Sequence, residues 1–216
     1  MTWDYSTKLY NAELNMQRKL RKITILAGFR WLQLRENLQG TIPPPDHIQP
    51  SWKNYPKADL AYVAWFEKEP GTPAPAYPPF WNTSTKNNLY GLQIGATGSL
   101  FKHYNFFLDG LIKIGWFWNH ASESTKVSIA KVVYDSGALA DRLAFASELG
   151  LQCKYQIIKG MALKLGYEAL WVASIALAPG QIQETYSSLT SVKALGVSAN
   201  SDVLFHGGTV GLELSF

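Results

Sequence analysis

The 216-residue sequence contains a single cysteine, Cys153, so no disulfide can form within the chain and no cysteine-based zinc cluster can be built. Long hydrophobic runs are missing too. The longest largely apolar stretch, Ala169–Ala178, covers ten residues, whereas a membrane-crossing helix needs roughly 18 or more. The first twenty residues carry Asp4, Lys8, Glu13, Arg18 and Lys19 without an apolar core, so no signal peptide is legible there. Charged residues make up only 17%, and the formal net charge of +4 comes from scattered bases rather than a basic stripe. That pattern argues against nucleic acid as a partner. No phosphate-binding glycine loop, nucleophile elbow or metal-spaced His and carboxylate cluster occurs, and no cofactor is expected.

Apolar residues, by contrast, are plentiful: 47% of the chain is hydrophobic and 13% aromatic, yet mean hydropathy is close to zero. The apolar residues must therefore be interleaved with polar ones, as in alternating β-strands. Seven segments show this period of two. The first sets Tyr10, Ala12, Leu14 and Met16 against Asn11, Glu13, Asn15 and Gln17; the second sets Ile23, Ile25, Ala27, Phe29 and Trp31 against Thr24, Gly28 and Arg30. A third spans Asn87 to Phe101. In the fourth, Phe106, Leu108, Ile112, Ile114, Trp116 and Trp118 oppose Asp109, Lys113 and Gly115. The fifth runs from Leu143 to Tyr155, the sixth from Met161 to Trp171, and the seventh from His206 to Phe216.

Connections alternate between short turns, after segments one, three and five, and long excursions after two, four and six. This is the arrangement of an all-β, antiparallel up-and-down barrel of outer-membrane type with about eight strands, seven of them read in this chain. The 216 residues are expected to form one domain. A soluble barrel of lipocalin type would place its apolar residues inside instead. Aromatic placement favours the membrane form. Phe29, Trp31, Tyr90, Trp116, Trp118, Phe145, Trp171 and Phe205 fall at the long-loop ends, and Phe101, Tyr104, Phe106, Tyr155 and Phe216 at the short-turn ends. Two such belts with aliphatic residues between them match two headgroup levels. The opposite parity carries Glu13, Arg30, Asp109, Lys113, Glu148, Lys154, Lys164, Glu168 and Glu213, five acids against four bases. Paired charges of that balance are expected to plug the lumen of a small barrel.

Ten of the eleven prolines lie between Pro43 and Pro79, inside an excursion read as a long loop over 37–86. Its Trp52, Tyr55, Tyr62, Trp65, Phe66, Tyr77, Phe80 and Trp81 supply apolar area for a rim lid or for contact with another molecule. Leu60–Glu67 within it is strand-like, Lys126–Asp135 reads as a hairpin arm, and Ser187–Ala199 reads as a surface loop. For catalysis, His120 has Ser122 and Ser124 nearby and Asp109 behind it, but spacing of this kind arises readily by chance, and no enzyme activity is expected. Seven strands also impose a parity problem, because the first and last then run in the same direction. An antiparallel eighth strand must come from upstream of Met1, from a neighbouring subunit or from an unread element; a seven-strand parallel closure is the alternative.

Several short motifs carry a resemblance: Leu26-Ala27-Gly28-Phe29-Arg30-Trp31-Leu32, Asn87–Gly95, Gly166-Tyr167 running to Leu177–Ile182, and Phe205-His206-Gly207-Gly208 running to Gly211–Glu213. In their order and spacing they resemble a poorly characterised outer-membrane β-barrel family abundant in planctomycetes. The resemblance implies a barrel and an outer-membrane or cell-surface address, and it brings no catalytic residues. The expectation is therefore a non-catalytic structural protein of the outer membrane. Its partners would be membrane lipid or neighbouring copies of itself, as in a homo-oligomer. The alternatives are a self-assembling extracellular filament or array subunit and, third, a small pore or a rim-located lipid enzyme.

Overall fold

A computed structural model of the protein describes residues 2–41, 80–129, 132–182, 185–187, 192–194 and 196–214. The chain runs through β1 (Thr2–Leu20), β2 (Ile23–Thr41), β3 (Phe80–His103), β4 (Phe106–Ile129), β5 (Val132–Ile158) and β6 (Met161–Ile175). After these come a single-turn helix α1 (Ala178–Gln181), a small hairpin of β7 (Thr185–Ser187) and β8 (Val192–Ala194), and finally β9 (Ser201–Leu214). Seven strands, in the order β1-β2-β3-β4-β5-β6-β9, pair antiparallel throughout and curl into a half-barrel. The short turns fall where the sequence places them. Left-handed residues at Arg21, Tyr104 and Gly160 reverse the chain there.

Two sequence boundaries need correction. The excursion read as 37–86 is shorter, because Asn37–Thr41 continue β2 and Phe80–Lys86 already belong to β3, paired from Asn37↔Ser84 out to Thr41↔Phe80. Phe80 and Trp81 are thus strand residues; Trp52, Tyr55, Tyr62, Trp65, Phe66 and Tyr77, with the Leu60–Glu67 segment, lie outside the described residues. Nor is there a long loop after the fourth strand. The β4–β5 ladder runs unbroken from Phe106↔Tyr155 to Ile129↔Val132. Both readings stopped where the apolar alternation stopped, yet Thr and Val favour strands after the outer face turns polar, and the ladder carries the intervening Ser and Asn with them.

The curl is tight. In a flat sheet β2 and β5, three positions apart, would lie about 14 Å from each other at the usual strand spacing of about 4.8 Å. Here Arg30 of β2 reaches Glu148 of β5 across the concave side. The two outermost strands, β1 and β9, run in the same direction, and no ladder joins them among the described residues. The parallel seven-strand closure is therefore not formed. Among the described residues no strand pairs with the outer edge of β1 or of β9, which leaves a row of unpaired backbone groups on each.

Candidate functional site

The concave face is built in two storeys. The lower one, toward the short turns, is charged. The Arg30 side chain, only 3% exposed, meets Glu148 at 2.8 Å and Glu13 at 3.7 Å, and Lys113 bridges the same two carboxylates at 3.1 and 3.0 Å. Two bases and two acids from β1, β2, β4 and β5 thus form one neutral cluster. Amides complete it: Gln93 donates to Glu13 at 2.7 Å and to Asn15 at 2.8 Å, Asn15 donates to Glu13 at 2.8 Å, and Arg30 Nε donates to Asn11 at 3.0 Å. Buried charges are tolerated when paired and hydrogen-bonded in this way. Nearer the turns, Glu213 takes Lys154 at 2.5 Å and Lys164 at 2.6 Å. Asp109 and Glu168 join neither group. They border a void of about 480 Å³ that is also lined by Lys19, Lys22 and Gln152.

The upper storey is apolar. Leu32 and Leu34 of β2, Leu89 of β3, Phe117 of β4, Ala144 and Ala146 of β5 and Val172 and Ile175 of β6 form one buried layer, with Leu9, Val203 and Phe205 packed against it. All seven wall strands contribute. Phe117 spreads over glycines: a Cβ on Gly115 would sit 2.6 Å from the ring, so the small residues make room for the one large side chain in the layer. Phe205 is the exception among the belt aromatics, since it turns inward with Leu170.

Above this layer the chain folds into the half-barrel. A bulge at Ser174, in the left-handed region at φ 60°, turns β6 inward, at a cost of roughly 1–2 kcal/mol. Ile175, Ala176 and Ala178 become wholly buried. Wall side chains receive them: Asn87 donates to Ala176 O at 2.7 Å and accepts from Ala176 N at 2.8 Å, and Asn119 donates to Asn87 at 3.0 Å. Glu36 accepts from Ala178 N at 2.8 Å and from the Tyr5 hydroxyl at 2.5 Å. Burial and this carboxylate push the Tyr5 phenol well above its ordinary range. Gln181 then ties α1 to the segment that leads into β9, donating to Ser198 O at 2.7 Å and accepting from Ser198 N at 2.9 Å. Val197 and Ala199 are buried, so the far end of Ser187–Ala199 is packed core rather than surface loop.

The convex face is the inverse of the lumen. Beside the charged storey it exposes Leu92, Ile94, Ile112, Leu149, Val210 and Leu212. Trp116, Phe145 and Trp171 stack edge to face at 6.1 and 5.8 Å, and Trp31, Tyr90 and Trp118 are cross-strand neighbours in the next row up. At the short-turn end Phe101, Tyr104, Phe106 and Tyr155 are exposed, with Phe101 and Phe106 rings 6.2 Å apart. Phe101 faces outward because a bulge between Ser99 and Phe101 shifts its parity. Phe29 is exposed in the upper group, and Phe216 lies outside the described residues. Above the Trp31 row the convex face of β2, β3 and β4 is polar, with Arg35, Asn37, Ser84, Lys86, Ser122 and Ser124, while β5 exposes Leu139 there.

The histidine reading takes a different shape from the sequence expectation. His120 pairs with Asp141 rather than Asp109, both side chains more than half exposed. Ser122 Oγ donates to Lys86 O and Ser124 Oγ to Asp135, each at 3.5 Å, so neither hydroxyl meets the imidazole. Among the described residues no cluster of three or more His, Cys, Asp and Glu side chains could hold a metal ion, and no helix is long and apolar enough to cross a membrane. Comparison with protein-family models, with curated proteins and with solved structures found no match for this chain.

Proposed function

We propose that this chain forms the wall of a non-catalytic outer-membrane β-barrel that closes its own lumen and serves a structural or surface role. One observation carries the reading: along β1, β2, β3 and β4 the apolar face changes sides, outward below the Trp31–Tyr90–Trp118 row and inward above it. A strand wholly in water has no reason to switch. A strand passing from lipid into water does. The dimensions agree. Phe106 and Trp116 mark the two aromatic levels on β4 ten residues apart, about 33 Å along a strand and about 23 Å of depth at a tilt of about 45°, close to the apolar band of about 25 Å on outer-membrane barrels. Above that level the strands of β3, β4 and β5 project into water.

The charge cluster, the apolar layer and the inward chain stack across the same lumen, which supports a closed barrel rather than a conducting one. The family resemblance of the Leu26–Leu32 and Asn87–Gly95 motifs supports the outer-membrane address. Lipid tolerates no open sheet edge, so the wall is completed by one further strand, antiparallel to both β1 and β9, which we assign to a neighbouring subunit. Purified chain should need detergent to stay monodisperse, should enter lipid vesicles with its turns protected from protease, and should leave them electrically tight. A protein that is a dispersed monomer without detergent sinks the reading.

The unpaired β1 and β9 edges favour a second reading, a self-assembling subunit whose apolar wall packs on other copies. Negative-stain microscopy separates the two: filaments or arrays in the absence of lipid support assembly, and micelle-bound single particles oppose it.

A further inference from the structure

Resting on the membrane reading above, we propose that the convex face carries a site for the phosphates of lipid headgroups, formed by Lys8, Arg35 and Lys86. These three residues come from β1, β2 and β3 and are direct cross-strand partners, Lys8↔Arg35 and Arg35↔Lys86, on the outward face. Like charges placed directly opposite one another destabilise a sheet, so three bases in one row are relieved by an anion bound from outside. Among the described residues no acid is placed to supply one. The row continues with Ser122 and Leu139, the row above it is Ser6, Asn37, Ser84, Ser124 and Gly137, and the row below is Tyr10, Gln33, Asn88, His120 and Asp141. Asp141, the one acid among them, sits at the far end and is taken by His120. The two acids behind the bases point into the lumen, where Glu36 holds Tyr5 and Ala178 and Glu123 accepts from Thr125. None of the three bases makes an ion pair within the described residues.

The site is shaped as well as charged. Lys8, Arg35 and Lys86 border a depression of about 500 Å³ that Ser84, Ser122 and Ser124 also line, with Glu36 and Glu123 at its floor, their carboxylates engaged on the lumen side. Arg35 is held in place from below, its Nε donating to Gln33 at 2.7 Å and its guanidinium 5.7 Å from the Tyr10 ring centre. Its two terminal nitrogens are left for a ligand.

Depth selects the ligand. Arg35 lies four residues above Trp31 on β2, about 13 Å along the strand and about 9 Å in depth at a tilt of about 45°. This places the bases in the headgroup zone just beyond the aromatic level, where lipid phosphates stand and where each nearby base adds measurably to binding. A free phosphate would gain only the exposed charge, whereas a lipid is also held by the Trp31, Tyr90 and Trp118 wall beneath.

The test uses the full chain in vesicles of phosphate-free digalactosyldiacylglycerol doped with a few per cent of diphosphoryl lipid A or of its dephosphorylated form, beside the triple variant K8Q/R35Q/K86Q. Insertion is read first, by protease protection in undoped vesicles, and wild type and variant should insert alike. Retention of each dopant is then read by native mass spectrometry. Wild type should prefer the phosphorylated lipid by roughly fivefold per base, on the order of a hundredfold for three. The variant should show no preference, and inorganic phosphate should not displace the lipid. Insertion with equal retention of both dopants, or an unchanged preference in the variant, overturns the site alone. Displacement by inorganic phosphate reassigns it to small anions and overturns the lipid proposal. Failure of both proteins to insert overturns the membrane reading, and the lipid site with it.

Discussion

The lower and upper halves of this half-barrel share the same strands, ladders and curvature, and differ in which side of the wall is apolar. Below the Trp31 row the lumen holds Arg30, Lys113, Glu13 and Glu148 while Ile94, Ile112 and Leu149 face out. Above it Leu32, Leu34 and Leu89 face in while Arg35, Lys86 and Ser122 face out. Backbone pairing therefore does not decide polarity here; on the membrane reading proposed above, the medium on each side does. One ladder can serve two solvents provided that its side-chain parity reverses at the boundary.

The sharpest way to break the upper half is Phe117→Ala. The ring is 1% exposed and fills the centre of the apolar layer, so its loss should cost about 3–5 kcal/mol in a reversible denaturant titration. The lower half should respond nearly as strongly to Arg30→Met, which leaves Glu13 and Glu148 short of a base. Breaking a buried pair in this way costs roughly 3 kcal/mol, and a second change, Glu148→Leu, should recover part of it. If R30M were neutral, the cluster would not be what fills the lower lumen.

The boundary itself can be probed by placing one arginine at two depths on the same face of β4. Ile112→Arg should disfavour vesicle insertion by about 2 kcal/mol or more; Ser124→Arg, above the aromatic level, should change stability by no more than about 0.5 kcal/mol. Equal effects would remove the distinction between the halves. A smaller effect than that of Ile112→Arg is expected at Glu123 in the upper storey, where burial, and secondarily Asp135, raises the carboxyl above its ordinary value of 4.5 despite the Thr125 hydroxyl. A raised carboxyl means that the folded state holds its proton longer than the unfolded one. Its contribution is then largest below about pH 4.5 and declines as pH climbs through the folded value. Glu123→Gln should flatten that decline and stabilise the protein at neutral pH by about 1 kcal/mol, because Glu123 Oε2 is buried without a partner. Thermal melts across pH 4 to 8 would show it.

The lower half was largely legible in the sequence, because strict alternation of large apolar residues with charges survives in the residue order, and strand parity alone placed Glu13, Arg30, Lys113 and Glu148 on one face. Parity could not say who meets whom. It gave the same standing to Asp109 and Glu168, which join no cluster, and it passed over Asn11, Asn15 and Gln93, whose amides complete one. The upper half was harder to see. There the apolar parity flips, and Leu32, Leu34 and Leu89 look like interruptions of the pattern that governs Ile23–Trp31. Phe205 was misplaced because its neighbour Leu204 is the residue that pairs with the belt aromatic Trp171, while Phe205 itself pairs with Leu170 and faces the lumen. The one local sign of the inward chain was Leu177-Ala178-Pro179-Gly180, small residues and a proline directly after a strand, beside buried Asn87, Asn119 and Glu36 that no lipid-facing pattern required.

That inward chain also orders events in time. The turns at Arg21, Tyr104 and Gly160 join strands adjacent in sequence, so the β1–β2, β3–β4 and β5–β6 hairpins can form locally and early. The bonds that seat Ala176 and Ala178 instead link residues 89 and 142 positions apart, and closing such distances costs chain entropy that is recovered only once β2 and β3 stand as a wall. Because the segment is tethered to β6 at one end and to β9 at the other, it must enter the lumen before or together with the pairing of β9. Filling and closing are therefore one late step rather than two. In refolding followed by pulsed hydrogen exchange, the amides of Ala176, Ala178 and β9 should gain protection together and last. Asn87→Ala should slow that phase while leaving the hairpin phases unchanged.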